Sequence, residues 1–192
     1  MQNFPHIFVQ MNTPRFTQGQ LTAFFRAVVD IFFQRESDNI LTGVSERNLC
    51  GRLAMYLENN FSSHQLTGDY FADTEYNRKQ NGEIKTIIND QEKVIKISAD
   101  VLVHSRGLES PDNLITIEMK KSDRSPLKRY NDRLRLRALT KKNEVWGWNG
   151  TVPQHVSGYI LGFYMELNHS TRTCLIEKYK GGDKIDDWTQ EF

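Results

Sequence analysis

Apolar residues recur at helical spacing over residues 17–36. Leu21, Phe24, Phe25, Val28, Ile31 and Phe32 fall on one face, and Thr17 stands where an N-cap is needed. The polar stretch 36–44, which contains Gly43, predicts a loop. A second helix is predicted from about Glu46 to Asn60, capped by Ser45, with Leu49, Leu53, Tyr56 and Leu57 as its apolar stripe. From Leu66 the pattern shifts to short runs with strand character: 70–78, 85–88, 94–97, 100–104 and 114–120. Asn81-Gly82 and Asn89-Asp90 supply turn residues between the earlier ones. Ser125-Pro126 opens a third helix to about Lys142, because the first helical turn does not use the N–H that proline lacks. Leu127, Tyr130, Leu134 and Ala138 are its expected inward side. A loop at 144–157 follows, with Trp146 and Trp148, then strands at 159–167 and 173–179. The tail, 181–192, is polar and expected to be loose. This order predicts an α/β (α+β) chain: a mixed central sheet flanked by helices on both faces.

Composition narrows the class. A chain of 192 residues fits one domain and can bury roughly 70% of its unfolded surface. Eleven Phe, seven Tyr and three Trp are too many for a disordered segment. Cys50 and Cys174 are too few for a disulfide scaffold and do not form Cys-x-x-Cys, so both read as packing residues in a reducing, cytoplasmic setting. The densest apolar stretch is cut by Arg26 and Asp30, which excludes a membrane span there. Residues 1–16 lack the pattern of a signal peptide. The net charge of +1 hides an asymmetry: residues 120–142 carry +8 and the rest of the chain −7. Such an edge suits a polyanion.

The candidate chemistry sits on two adjoining runs. Asp100 opens one, Asp-Val-Leu-Val-His. Glu118 and Lys120 end the next, Leu-Ile-Thr-Ile-Glu-Met-Lys. Strand alternation puts Glu118 and Lys120 on one face and Ile117 and Met119 on the other. The short connection 105–113 makes the two strands hairpin neighbours, which brings Asp100 and Glu118 to the same end of the sheet. A Glu and a Lys in an apolar run are costly unless paired or ligating. Two converging carboxylates repel unless a cation lies between them, and oxygen-only ligation suits Mg²⁺ or Mn²⁺. A nearby ammonium can orient a water or offset developing charge on phosphorus.

Asp100, seventeen residues, then Glu118-Met119-Lys120 resembles the Asp…(Asp/Glu)-x-Lys signature of the PD-(D/E)XK nuclease superfamily. The resemblance covers about residues 45–179, and the element order matches. One departure is Ala99, where the family usually has proline. The resemblance implies a restriction-endonuclease-like core at 45–180, preceded by an N-terminal helical extension at 1–44 and followed by the tail at 181–192. It also implies a metal-dependent nuclease acting on nucleic acid, DNA before RNA. Asp100 and Glu118 would hold Mg²⁺ or Mn²⁺, Lys120 would position or polarise the attacking water, and Glu46 would bind the metal directly or through water. Asp73 and Glu75 are expected to share a face, either supporting the site, with Glu75 a reserve ligand, or pairing with Arg78 or lying on a solvated face.

Other readings stand beside these. Glu46 in a first helical turn also stabilises the helix dipole by roughly 0.3–1 kcal/mol. Arg129, Arg133, Arg137 and Lys141 lie at four-residue steps and repel one another unless an anion compensates them. Nucleic-acid phosphate would serve, as would an acidic patch on a second subunit. Arg78, Arg106 and Lys121 are further phosphate-binding candidates. Asp132 either pairs with Arg129 or reaches toward the site. Trp146 and Trp148 either stack on bases or cover the sheet edge. The helix at 17–36 is a core lid or an interface for a homodimer or partner protein. The alternative to a nuclease is a catalytically inactive binding module of the same fold, working within a larger complex.

Overall fold

The computed structural model describes residues 15–76, 86–88, 94–96, 99–141 and 157–192. Helix α1 spans Gln18–Leu41 and α2 spans Glu46–Asn59. Strand β1 is Phe71–Thr74, and β2 (Thr86–Ile88) pairs with β3 (Val94–Lys96) as a separate antiparallel ribbon. Strand β4 is Val101–His104, β5 is Asn113–Lys121, and α3 is Pro126–Thr140. Strands β6 (Leu161–Asn168), β7 (Thr173–Lys180) and β8 (Asp183–Glu191) complete the chain. The main sheet has six strands in the order β1-β4-β5-β6-β7-β8. All neighbours are antiparallel except β5 and β6, which run parallel with α3 as their crossover. The expected mixed sheet with helices on both faces is therefore present. Among the described residues no helix is long and apolar enough to cross a membrane.

Helix α1 outlasts its expected end at 36 by more than a turn. The polar residue that suggested a loop, Glu36, is 1% exposed and is satisfied from α2. Its Oε1 accepts from Arg52 Nε at 2.7 Å and from Tyr56 Oη at 2.6 Å, while Oε2 accepts from Asn39 Nδ2 at 2.6 Å. Burial alone raises the Glu36 pKa, but these bonds outweigh it and hold the carboxyl below its ordinary range. A buried ionic staple thus carries the helix on to Ile40, which packs in the core. The apolar face of α1 is spent on the chain's own sheet: Phe25 stacks on Phe163 with ring centroids 3.6 Å apart.

The expected loose tail is also corrected. Gly181 and Gly182 both have positive φ and form the two-residue turn of the β7–β8 hairpin, a conformation that glycine adopts without strain. Strand β8 has little apolar alternation because it is an edge strand held by backbone pairing. Trp188 is its anchor, edge-on to Phe25 and Phe163 and covered by Arg26 at 3.8 Å.

The inward side of α3 differs from the expected one. Leu127 and Tyr130 are 68% and 58% exposed, whereas Asp132, Leu136, Leu139 and Thr140 are buried, along with the expected Ala138. The helix turns this way because the sheet face beneath it is itself charged. Cys50 and Cys174 are both free and buried, as packing residues.

Candidate active site

The β4–β5 register sets Val101 opposite Ile117 and Leu102 opposite Thr116, and Asp100, just before β4, is held beside the end of β5 by the Met119 N–H. Alternation along β5 sends Ile115, Ile117 and Met119 into the core beneath α1 and α2. Thr116, Glu118 and Lys120 face α3. Sequence spacing and observed geometry agree on this point.

A cleft of about 240 Å³ opens at this end of the sheet. It is lined by Glu46, Arg47 and Cys50 of α2, Thr74 and Glu75 at the end of β1, and Asp100 and Lys120. Asp100 Oδ2 accepts from the Met119 N–H at 2.9 Å and from Lys120 Nζ at 3.3 Å. Lys120 Nζ also lies 3.5 Å from Asp132 Oδ2 on α3. Burial pulls the Lys120 pKa down, but Asp100, Asp132, Glu118 and Glu46 outweigh it, and the ammonium is held above its ordinary value.

Glu118 is fully buried behind the cleft and does not line it. Arg135 Nε lies 2.8 Å from Glu118 Oε1, yet both carboxylate oxygens lack a hydrogen bond. The contact is an ion pair whose N–H is not aimed at the oxygen. Burial, then repulsion from Asp100, pushes the Glu118 carboxyl well above its ordinary value. Asp132 is raised too, chiefly by burial, despite Lys120 and Arg135.

Glu46 takes both positions open to it in the sequence. It lies in the first turn of α2 and also borders the cleft. Its Oε1 accepts from the Lys121 N–H at 3.0 Å and from Arg124 Nε at 2.9 Å. Burial raises its pKa, but Arg124, the Lys121 N–H and Lys120 together hold it below the ordinary carboxylate range.

The expected pairing of Asp73 with Glu75 on one face is not observed. Strand β1 ends at Thr74, and Glu75 has φ +50°, so alternation stops before it. Glu75 turns into the cleft and pairs with Arg47 at 2.9 Å. Asp73 lies away from the cleft, where Oδ2 meets His104 Nε2 at 3.0 Å and Arg106 Nε at 2.8 Å. Arg106 also covers the Phe71 ring at 4.0 Å.

Three cations of the basic ridge have anionic partners inside the chain. Arg129 pairs with Glu166 at 2.5 Å, and Arg133 with Glu166 at 3.2 Å and Glu177 at 2.8 Å. Arg137 reaches the Gly182 carbonyl at 3.0 Å and Asp183 at 3.4 Å. Lys121 Nζ donates to the Gly43 carbonyl at 3.0 Å. Arg78, Trp146 and Trp148 lie outside the described residues.

Of the two positions open to Asp132 in the sequence, the structure shows the one toward the site. Asp132 pairs with Lys120 and Arg135 rather than with Arg129. Arg135 counted only toward the basic charge, yet it is the cation against Glu118. Their i, i+3 spacing, opposite in charge to the Glu118/Lys120 pair, was the available signal.

The carboxylates at the cleft, Glu46, Glu75 and Asp100, are oxygen donors of the kind a hard divalent cation takes, and Glu118 behind them has two buried oxygens without hydrogen bonds. Among the described residues, no three His, Cys, Asp or Glu side chains are gathered into a ready-made metal cluster. No family model, curated protein or solved structure matches the chain.

Proposed function

We propose that this protein is a metal-dependent nuclease with a restriction-endonuclease-like core, hydrolysing phosphodiester bonds of nucleic acid, DNA in preference to RNA. The observation that carries the reading is the meeting of Asp100 and Lys120, 3.3 Å apart at the cleft, with Glu118 buried on β5 behind them. Mg²⁺ or Mn²⁺, when bound, would supply Lewis-acid polarisation of a phosphate oxygen and a more acidic water. Asp100 and Glu118 would hold it, with Glu46 reaching from α2. Lys120, already held as a cation, would orient the attacking water and offset charge developing on phosphorus.

The test is incubation of the purified protein with supercoiled plasmid and with labelled single-stranded DNA and RNA, each with Mg²⁺, Mn²⁺ or EDTA. Cleavage is expected with metal and not with EDTA. Asp100→Ala and Glu118→Ala are each expected to lose about two orders of magnitude or more while remaining folded. Retained cleavage in both variants would sink the proposal.

A binding module without turnover is favoured by one observation: the Glu46 oxygen nearest Lys121 is already bonded to Arg124 and to the backbone. That reading predicts neither cleavage nor any rise in melting temperature with Mg²⁺ or Mn²⁺.

A further inference from the structure

Asp132 is a buried carboxylate on a helix otherwise docked by Leu136, Leu139 and Thr140 and by the Arg129 and Arg133 pairs. A carboxylate so placed is costly without compensation. Its Oδ1 accepts from Arg135 Nη2. Its Oδ2 has no hydrogen bond and faces Lys120 Nζ at 3.5 Å. Lys120 has four rotatable side-chain bonds, and holding its ammonium in one place requires contacts on more than one side. Asp100 supplies one at 3.3 Å, Asp132 the other.

The two carboxylates differ in a way that matters for the reaction. Asp100 lines the cleft, and a cation bound there would draw on its charge. Asp132 does not line the cleft and would keep its charge for Lys120. We propose that Asp132 is a positioning residue that fixes the Lys120 ammonium from the α3 side, with Arg135 bridging Asp132 to Glu118 so that lysine and acid move as one unit. This rests on the nuclease reading for its kinetic consequence, but the anchoring of Lys120 is a property of the chain itself.

Two measurements on the full chain test it. In the first, the Lys120 ammonium is observed by ¹⁵N NMR in lysine-labelled protein without metal, assigned by its loss in Lys120→Arg. A slowly exchanging, ordered ammonium is expected in the native protein and a mobile one in Asp132→Asn. In the second, cleavage kinetics are followed. Asp132→Asn is expected to lower kcat about 10- to 100-fold while KM and the metal midpoint stay within about twofold. Asp132→Glu is expected to recover most of kcat.

An unchanged ammonium signal in Asp132→Asn overturns the inference whatever the kinetics. So does a loss of kcat that tracks a loss of melting temperature and is not recovered by Asp132→Glu. If the native protein cleaves nothing, the proposed function falls, and the NMR comparison still decides whether Asp132 anchors Lys120.

Discussion

On the face of the sheet under α1 and α2, strands β5, β6 and β7 present Ile117, Met119, Phe163, Met165 and Ile176. On the face under α3, the same strands present Glu118, Lys120, Tyr164, Glu166, Glu177 and Tyr179. The first face is mainly apolar, apart from the Glu36 staple and the buried Lys178, and is held by area removed from water, which needs no particular direction. The second is held by charge pairs, each depending on which atom meets which. Burial of area makes the fold. Paired charges hold chemical groups at fixed places, and the candidate site lies at the end of the ionic face.

The comparison breaks most readily on the apolar face. Phe163 is wholly buried, stacked on Phe25 and edge-on to Trp188. Phe163→Ala is expected to cost about 3–5 kcal/mol in urea unfolding. A cost below about 1 kcal/mol would mean that this face does not carry the stability assigned to it.

On the ionic face, Arg133→Met is expected to cost about 1–3 kcal/mol, because it leaves the mostly buried Glu166 and Glu177 short of a cation. Combining it with Glu177→Gln should recover part of that loss in the same assay. No recovery would show that packing of Arg133 over the Tyr164 ring, 3.9 Å away, outweighs its charge.

The pH dependence sharpens the contrast without deleting a side chain. Burial raises the Glu118 and Asp132 carboxyls, so the folded protein binds their protons more tightly than the unfolded chain does. Their contribution is fully present below their ordinary values, 4.5 for Glu118 and 3.8 for Asp132, and is lost as pH rises through the folded values. The melting temperature in EDTA is therefore expected to fall as pH rises above the ordinary carboxylate range, and less so in Glu118→Gln. Glu36, Glu46 and Asp73 are held low and act in the opposite sense, losing their contribution only as pH falls below the ordinary carboxylate range. A melting temperature that rises from pH 5 to 8 would contradict the assignment.

The smallest effect belongs to Arg47→Ala. The Arg47–Glu75 pair is largely exposed, so unfolding free energy is expected to change by less than about 0.5 kcal/mol. A larger change would mean that the rim of the cleft is more rigid than its exposure implies.

Much of the fold was legible because it is local. Thr17, Ser45 and Ser125 each accept from the N–H three residues on, as N-caps should. The end of helix α1 was not legible because a polar residue reads as solvent-facing until its partners across the helix pair are known. The Gly181-Gly182 turn was a readable hairpin signal, hidden by the polar strand that follows it. At the site, Asp100, Glu118 and Lys120 were placed by a short hairpin and a two-residue period, and the structure brings them to one strand end. The resemblance carried by those three residues is a matter for the cleavage assay.

By itself the sequence determined the quantities set by backbone geometry: helical period, strand alternation, caps and the nearness of β4 to β5. These depend on residues a few positions apart. Tertiary structure alone decided which charge meets which. Arg129 and Arg133 pair with Glu166 of β6 and Glu177 of β7, Asp132 turns from Arg129 toward Lys120, and Arg135 reaches Glu118. A long charged side chain can reach several partners, and its choice is set by the rotation of α3 on the sheet. That rotation is fixed by packing between segments far apart in the chain, which no local period encodes.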